Sequence, residues 1–491
     1  MGITNFNKWL EQNYPQIIKK INYKEYDNVY IDLNPILHVS VNKINSYSQL
    51  YKRIIWLIDE VLKHIHPKKR LIFSTDGIPS FAKIILQRER RINMVKNVNN
   101  IEIKNTDNFI SPIIFTPGTT FMNNLPNFLK DYFDKLRDKY NNVELIDLTG
   151  LEFGESEFKL FYKMKDIIKL NNNNSNKESN ILVSNDADVI IMALSIIKEN
   201  NKDNNNQIYI CNSGKIYKEI HINEFLNRLN LNIYDYTNLD YTLLMLLLGN
   251  DYLPKINFIN INTLIEIYHM IKKIYKQNLV TRQNNRLIIN NNMLAKIIFT
   301  FFFKNKNRKF KSKKLEELNF SKLGNYMEGL VWCINDYNKA KNDNIFYMYN
   351  YKKKGIDPSE LYYYLKLKNK EVINYPIPKI KAIVNRKIYT AIVMPYKIKF
   401  LVKNNYPDKI KDKFAEYYSE ELCESCSIYH KQLSNLYCSK KFLEDTNNFE
   451  KIDIVKSNIQ KSTKELCKHK KKTHRRLSYN KYIEIIDYLN K

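Results

Sequence analysis

Cysteine is scarce in this chain, with six in 491 residues, and the first residues show neither the basic nor the apolar region of a secretory signal. A disulfide framework is therefore excluded as the source of stability, and a reducing compartment, cytoplasm or nucleus, is expected. Long hydrophobic runs are missing too. The longest, Leu243 to Leu248 and Ile297 to Phe303, fall far short of the ~20 apolar residues that span a bilayer, so no membrane partner is expected. Gly2 suits a myristoylation signal, but Phe6 stands where that signal needs a small hydroxyl residue. Gly2 thus reads as structural. Acidic residues are outnumbered: 51 Asp and Glu face 79 Lys and Arg, a net charge of +28. That excess favours a polyanionic partner, although an Asn-, Lys- and Tyr-rich composition is also what an AT-rich genome produces.

At this length two domains, or one large domain with a tail, are expected. Between residues 1 and about 270, short Val- and Ile-rich runs alternate with longer segments of helical period, the pattern of an α/β domain with a mainly parallel sheet flanked by helices. Residues 285–420 read as a second, mostly helical lobe, with a helix around Tyr326 to Tyr337 and an aromatic segment at Phe346, Tyr347, Tyr349 and Tyr351. Residues 421–491 read as a basic tail, its densest stretch running from Lys468 to Arg476. Asn171 to Asn174 and Asn200 to Asn206 have no apolar period and read as solvated loops.

Four of the strand-like runs matter most. Asn28 to Ile31 leads into Asp32; Arg70 to Phe73 ends near Asp76; Val143 to Ile146 precedes Glu155 and Glu157; Asn180 to Val183 leads to Asp186 and Asp188. In an open parallel sheet, ligands bind beyond the carboxyl ends of the strands, so these acids converge on one crevice. Asp251, after the apolar run that ends at Gly249, completes a set of seven. Any one of them alone would be read as a turn or helix cap. Their recurrence at strand ends, with the pairs Glu155/Glu157 and Asp186/Asp188, points instead to cation binding, because so many like charges repel unless cations separate them. All-oxygen ligands suit Mg²⁺ or Mn²⁺, and two such ions are what phosphodiester hydrolysis uses.

After Asp76 and the turn Gly77 to Ser80 comes a helical segment from Phe81 to Arg91. Lys83, Gln87, Arg90 and Arg91 share one face at helical spacing. Guanidinium forks and an amide suit a terminal phosphate, whereas a basic face by itself is more often only solvated.

Taken together, these residues resemble the eukaryotic 5′-to-3′ exoribonucleases, the cytoplasmic messenger-decay enzyme and its nuclear relative. The resemblance is carried by Met1 to Leu10 with Asn13 to Pro15, by Tyr30 to His38, by Ser74 to Lys83 with Gln87 to Arg91, and by Thr116 to Met122. Gly154 to Lys159, Asn185 to Asp188 and Gly249 to Pro254 extend it to about residue 270; beyond that it weakens to Tyr326 to Trp332. It implies a PIN-like, flap-nuclease-like fold and hydrolysis of single-stranded RNA from a 5′-monophosphate end, with Mg²⁺ or Mn²⁺ held by Asp32, Asp76, Glu155, Glu157, Asp186, Asp188 and Asp251. On the same resemblance Lys83, Gln87, Arg90 and Arg91 grip the terminal phosphate and His38 stacks on the terminal base. A monomer is expected, acting in the cytoplasm or nucleus downstream of decapping machinery. The chain departs from the family in having Ser156 where a glycine is usual, in one residue fewer before Gly154, and in the aromatic stretch after Trp332. It ends about where the family's nuclease core does, which suggests a reduced set of partners. The competing readings are a structure-specific flap endonuclease acting on DNA and a non-catalytic RNA-binding relative.

Cys423, Cys426, His430 and Cys438 form a C-x2-C-x3-H-x7-C pattern, zinc-competent in ligand type but unlike the usual knuckle spacing. Cys211 and Cys333 sit in apolar surroundings and read as core residues.

Overall fold

The computed structural model describes residues 6–96, 110–173, 177–197, 206–212, 214, 216–230, 238–284, 286–304, 319–339, 355–375, 384–402, 404–446, 449–474, 477 and 479–491. Residues Met1 to Asn5, Asn200 to Asn205 and the aromatic segment from Phe346 to Tyr351 lie outside them. The chain divides into two compact units: residues 1–39, 53–76 and 129–379 form the first, and residues 40–52, 77–128 and 380–491 the second. Neither unit begins or ends at residue 270 or 420, because each is built from segments far apart in sequence.

The first unit is organised by a seven-stranded sheet: β1 (Ile18–Lys20), β2 (Lys24–Asp32), β3 (Ile65–Ser74), β4 (Glu144–Asp147), β5 (Ser179–Val183), β6 (Gln207–Asn212) and β7 (Lys218–His221). Their order is β1-β7-β6-β5-β2-β3-β4. The pairs β2·β3, β3·β4, β2·β5 and β5·β6 are parallel, and the edge pairs of β7 with β6 and with β1 are antiparallel. The mainly parallel α/β sheet read from the sequence is therefore the observed one. Strands covered on both faces need continuous apolar runs: Val29 to Ile31, Leu71 to Phe73 and Ile181 to Val183 are all buried. At the opposite end of these strands a polar brace holds the register, with Arg70 Nη1 donating to Asn28 Oδ1 and Glu178 Oε2, each at 3.0 Å.

From β2 the chain adds β3 and β4 on one side, then returns to place β5 and β6 on the other. The strand order therefore reverses between β2 and β5, and ligand crevices open beyond the carboxyl ends of strands at such a reversal. Helices start there: α1 (Leu33–Ser40) after β2, α3 (Ser156–Asn173) after β4 and α4 (Asp188–Ile196) after β5. Asn171 to Asn173, expected in a loop, instead form the last turn of α3, because an amphipathic helix already propagating carries a few asparagines at little cost; Asn174 lies outside the described residues. α5 (Phe320–Lys339) contains the expected Tyr326 to Tyr337 helix. Cys211 and Cys333 are buried, as expected.

In the second unit, α2 (Phe81–Lys96), α6 (Arg386–Val393), α7 (Glu424–Asp445) and α8 (Phe449–Thr473) carry the features used below. The carboxyl-terminal stretch is thus helical.

Candidate active site

Asp32 is the last residue of β2, drawn to 5% exposure by the three buried residues that precede it. One carboxylate oxygen accepts from the backbone N–H of Asn34 at 3.0 Å, the local turn that starts α1. The other accepts from Ser184 Oγ at 3.1 Å. Asn34 bridges onward, its Nδ2 donating to Asp76 Oδ1 at 2.7 Å while its Oδ1 accepts from the Asp76 N–H at 3.1 Å. Asp76 Oδ1 also accepts from the backbone N–H of Ser156 at 3.0 Å, the residue between Glu155 and Glu157. Across the strand reversal, the Asp186 N–H reaches Ser184 Oγ at 3.4 Å, the Asp188 N–H donates to Asp186 Oδ1 at 3.0 Å, and Tyr337 Oη donates to Asp188 Oδ2 at 2.9 Å.

These bonds link Asp32, Asp76, Asp186 and Asp188 through Asn34 and Ser184, and bring in Glu155 and Glu157 through the peptide between them. Asp251 follows a turn at Gly249, where φ is +91° and an added Cβ would lie 2.6 Å from the Lys255 nitrogen. That turn also has Asn250 Oδ1 accepting from the N–H groups of Tyr252 and Leu253 at 2.9 and 2.8 Å.

Burial pushes the Asp32 carboxyl well above its ordinary value, and the neighbouring Asp76 adds to the rise, against the bonds from Asn34, Ser156 and Ser184 that favour the anion. Among the described residues the hydrogen-bond donors that reach Asp32 and Asp76 are amides and hydroxyls, which orient the carboxylates without a neutralising cation. Such a donor set, hard oxygens on residues that repel one another, fits Mg²⁺ or Mn²⁺. Burial, with Asp188 alongside, likewise keeps the Tyr337 phenol protonated and able to donate.

Sequence reading overlooked the residues that hold the acids: Asn34, Ser184, Tyr337 and Lys159. Lys159 is buried, one turn into α3, and its Nζ donates to the carbonyls of Thr75 at 2.8 Å and Leu151 at 3.0 Å. It thereby ties the segments after β3 and β4 to the helix that carries Glu157. A lysine two residues after the second of the paired glutamates, in Gly154 to Lys159, was the available signal. The peptide N–H of Ser156 does its work whatever the side chain, so the departure from glycine leaves the bond to Asp76 intact.

In the second unit, α2 presents Lys83 and Gln87 as buried residues and Arg90 and Arg91 as half-buried ones. Arg91 Nε donates to Thr116 Oγ1 at 2.7 Å, and among the described residues Gln87 Oε1 has no hydrogen-bond partner. Arg88 points elsewhere. It stacks on Tyr417 with 4.0 Å between guanidinium and ring centre, donates to the carbonyls of Ile392 and Tyr417 at 3.0 Å each, and forms a buried ion pair with Glu421. The Thr116 to Met122 segment packs tightly on α6: Gly118 has φ +89°, and an added Cβ would lie 1.9 Å from Thr390 Oγ1. His38, in the last turn of α1, is exposed.

The cysteine pattern is corrected by the fold. Cys423 and Cys426 meet His469 and His474, not His430 and Cys438. Cys438 is exposed and lies twelve residues beyond Cys426 on α7, which at helical rise is about 18 Å away.

Among known proteins, residues 1–202 match the family model described as the XRN 5′-3′ exonuclease N-terminus. The 5′-3′ exoribonuclease 1 of Schizosaccharomyces pombe is 30% identical over 215 residues, 40% of this chain and 16% of that protein. That of Saccharomyces cerevisiae is 27% identical over 306 residues, 53% of this chain and 20% of the relative, and the 5′-3′ exoribonuclease 2 of Arabidopsis thaliana is 24% identical over 248 residues, 40% and 24%. The matched stretches thus span a quarter or less of these relatives. The solved catalytic core of Rad2 in complex with a DNA substrate aligns with 72% of this chain and 90% of its own at a TM-score of 0.35 and 11% identity, a loose superposition. Through its amino-terminal residues 1–202, this chain is similar to the XRN 5′-3′ exonucleases.

Proposed function

We propose that the chain is a 5′-to-3′ exoribonuclease that hydrolyses single-stranded RNA from a 5′-monophosphate end and releases nucleoside monophosphates. The observation that carries this reading is the hydrogen-bonded web of Asp32, Asp76, Asp186 and Asp188, with Glu155 and Glu157 flanking Ser156, at the strand-order reversal.

Asp32, Asp76, Glu155, Glu157, Asp186, Asp188 and Asp251 would hold two divalent ions, Mg²⁺ or Mn²⁺, which when bound activate water and neutralise the scissile phosphate. The residues around them position and exclude. Asn34 and Ser184 fix the Asp32 and Asp76 carboxylates, and Tyr337 orients Asp188. Lys83, Gln87, Arg90 and Arg91, buried or half-buried along α2, would bind the terminal phosphate through ammonium, amide and guanidinium donors. His38, exposed at the end of α1, would stack on the terminal base, a contact tolerant of sequence. A substrate with a 5′-monophosphate implies a preceding reaction that removes a cap or pyrophosphate, and we place the enzyme with that chemistry in the cytoplasm. No described helix is long and apolar enough to cross a membrane.

The test is an end-group comparison on one RNA sequence carrying a 5′-monophosphate or a 5′-triphosphate, beside a flap DNA, with Mg²⁺, Mn²⁺ or chelator. The monophosphate RNA should be degraded far faster than the other two and only with metal; equal rates on all three would refute the proposal, and preference for the flap would favour the endonuclease reading.

A further inference from the structure

Two helices of the second unit run antiparallel as a hairpin: α7 spans 22 residues and α8 spans 25. Near-equal lengths bring the start of α7 back to the end of α8. Cys423 caps α7 and Cys426 lies in its first turn; His469 lies in the last turn of α8 and His474 just beyond it. One ligand atom from each of these four side chains lies within 4.8 Å of the others. Cys423 Sγ is 3.4 Å from His469 Nε2, and Cys426 Sγ is 3.4 Å from His474 Nε2. In a tetrahedral zinc site with Zn–S of ~2.3 Å and Zn–N of ~2.0 Å, sulfur and nitrogen stand ~3.5 Å apart. We propose that Cys423, Cys426, His469 and His474 form a structural zinc site that clasps the open end of this helical hairpin.

Three further observations fit a closed site with a supporting shell. The second ring nitrogen of His474, Nδ1, lies 3.2 Å from Ser419 Oγ, a contact that orients the ring with Nε2 toward the cysteines. Lys470, between the two histidines, is ion-paired with Glu420, closing the same junction from outside. Cys426 is buried with Leu433 and Leu466, and Tyr429 and Ile459 pack on that cluster, so water is kept from one side. Two soft sulfurs and two imidazoles select zinc over the hard ions expected at the carboxylates.

The clasp also reaches α2. The segment between Tyr418 and Cys426 carries Ser419 against His474, Glu420 against Lys470, Glu421 against Arg88, and the two cysteines. Zinc would therefore hold the hairpin on the helix that bears Lys83, Gln87, Arg90 and Arg91.

The experiment is metal analysis of the full chain purified in a reducing buffer without added zinc, with cobalt substitution as a second readout. About one equivalent of zinc per chain is expected. Cobalt added to stripped protein should give the intense visible bands of a tetrahedral ion and a thiolate charge-transfer band. Cys423→Ser with Cys426→Ser should lose both signals, His469→Ala with His474→Ala should lose zinc, and His430→Ala or Cys438→Ser should keep it. A wild-type chain with no zinc and no tetrahedral cobalt spectrum would overturn the proposal, as would equal zinc loss in the His430 and Cys438 variants. The wild-type readouts decide the matter even if the double variants fail to fold, and neither depends on hydrolysis of RNA.

Discussion

Replacing Arg88 by methionine should damage folding, whereas the same change three residues on, at Arg91, should damage substrate selection. Both arginines sit on α2, and a count of basic residues cannot tell them apart. Arg88 and Glu421 have side chains 7% and 4% exposed. Truncating Arg88 would leave the Glu421 charge uncompensated and would orphan the carbonyls of Ile392 and Tyr417 to which the guanidinium donates. Breaking a buried pair from one side costs roughly 3–5 kcal/mol, and burial already pushes the Glu421 carboxyl upward against the pull of Arg88. Arg91 is half-buried and donates to the neutral hydroxyl of Thr116, a contact worth about 1 kcal/mol. Native-state hydrogen exchange reads both, since the two compact units need not unfold together. With Arg88→Met the amides of α6 and α7 should lose protection by roughly a hundred- to several-thousand-fold, the equivalent of that energy at ~1.4 kcal/mol per tenfold. With Arg91→Met the loss should be under about tenfold, while the preference for 5′-monophosphate RNA falls. Adding Glu421→Gln to Arg88→Met should recover part of the protection, because the stranded charge is then gone. Equal protection losses for the two arginines, or no recovery in the double variant, would refute the assignment.

Asp186→Ala with Asp188→Ala should abolish hydrolysis while leaving RNA binding measurable by fluorescence anisotropy; retained turnover would rule those acids out. Tyr337→Phe removes the 2.9 Å bond to Asp188, a hydrogen bond to a charged group worth about 1.5–3 kcal/mol, so kcat should fall at least tenfold with little change in KM; an unchanged kcat would show that Asp188 is held by other means. Because the Asp32 carboxyl is raised in the folded chain, the native state binds that proton more tightly than the unfolded one, and stability in metal-free buffer should fall as pH rises above the ordinary value of 3.8. Added Mg²⁺ or the change Asp32→Asn should flatten that fall, as followed by thermal melts across pH.

The sheet was legible because its central strands β2, β3 and β5 end in runs buried on both faces. Asn28 to Ile31, Arg70 to Phe73, Val143 to Ile146 and Asn180 to Val183 stand out as apolar or β-branched runs, and each falls on an observed strand to within a residue or two. The acids could be listed for the same reason, since they follow those runs. Their supporting groups could not. Asn34, Ser184 and Tyr337 matter through tertiary bonds between residues up to 152 positions apart, and nothing in local sequence marks an asparagine that bridges two carboxylates. The cysteine pattern failed for a related reason: it assumed that ligands close in sequence are close in space, whereas a helix carries Cys438 away from Cys426 and a hairpin returns His469 and His474 to it. Arg88 was indistinguishable from its neighbours until the aromatic pair Tyr417 and Tyr418 was placed.

The choice of neutral partners for Asp32 and Asp76 bears on how such a site can be both stable and active. A lysine or arginine would anchor either carboxylate more strongly, but it would cancel the charge that a divalent ion must find and would have to be displaced before the ion could enter. An amide and a hydroxyl fix direction and leave the charge in place. The cost is desolvation of Asp32 and, after it, repulsion from Asp76, both visible in the raised Asp32 carboxyl, and the fold offsets it elsewhere. Lys159 fastens the two segments after β3 and β4 by binding their carbonyls, so its cation contributes rigidity to the frame through backbone groups. Lys159→Met should therefore loosen the frame with the acids intact: hydrogen exchange at the start of α3 should rise, and higher Mg²⁺ should restore part of the lost activity, because tighter occupancy by the ion compensates for a poorly held site. An activity loss insensitive to Mg²⁺ with exchange unchanged would instead place Lys159 in the chemistry itself.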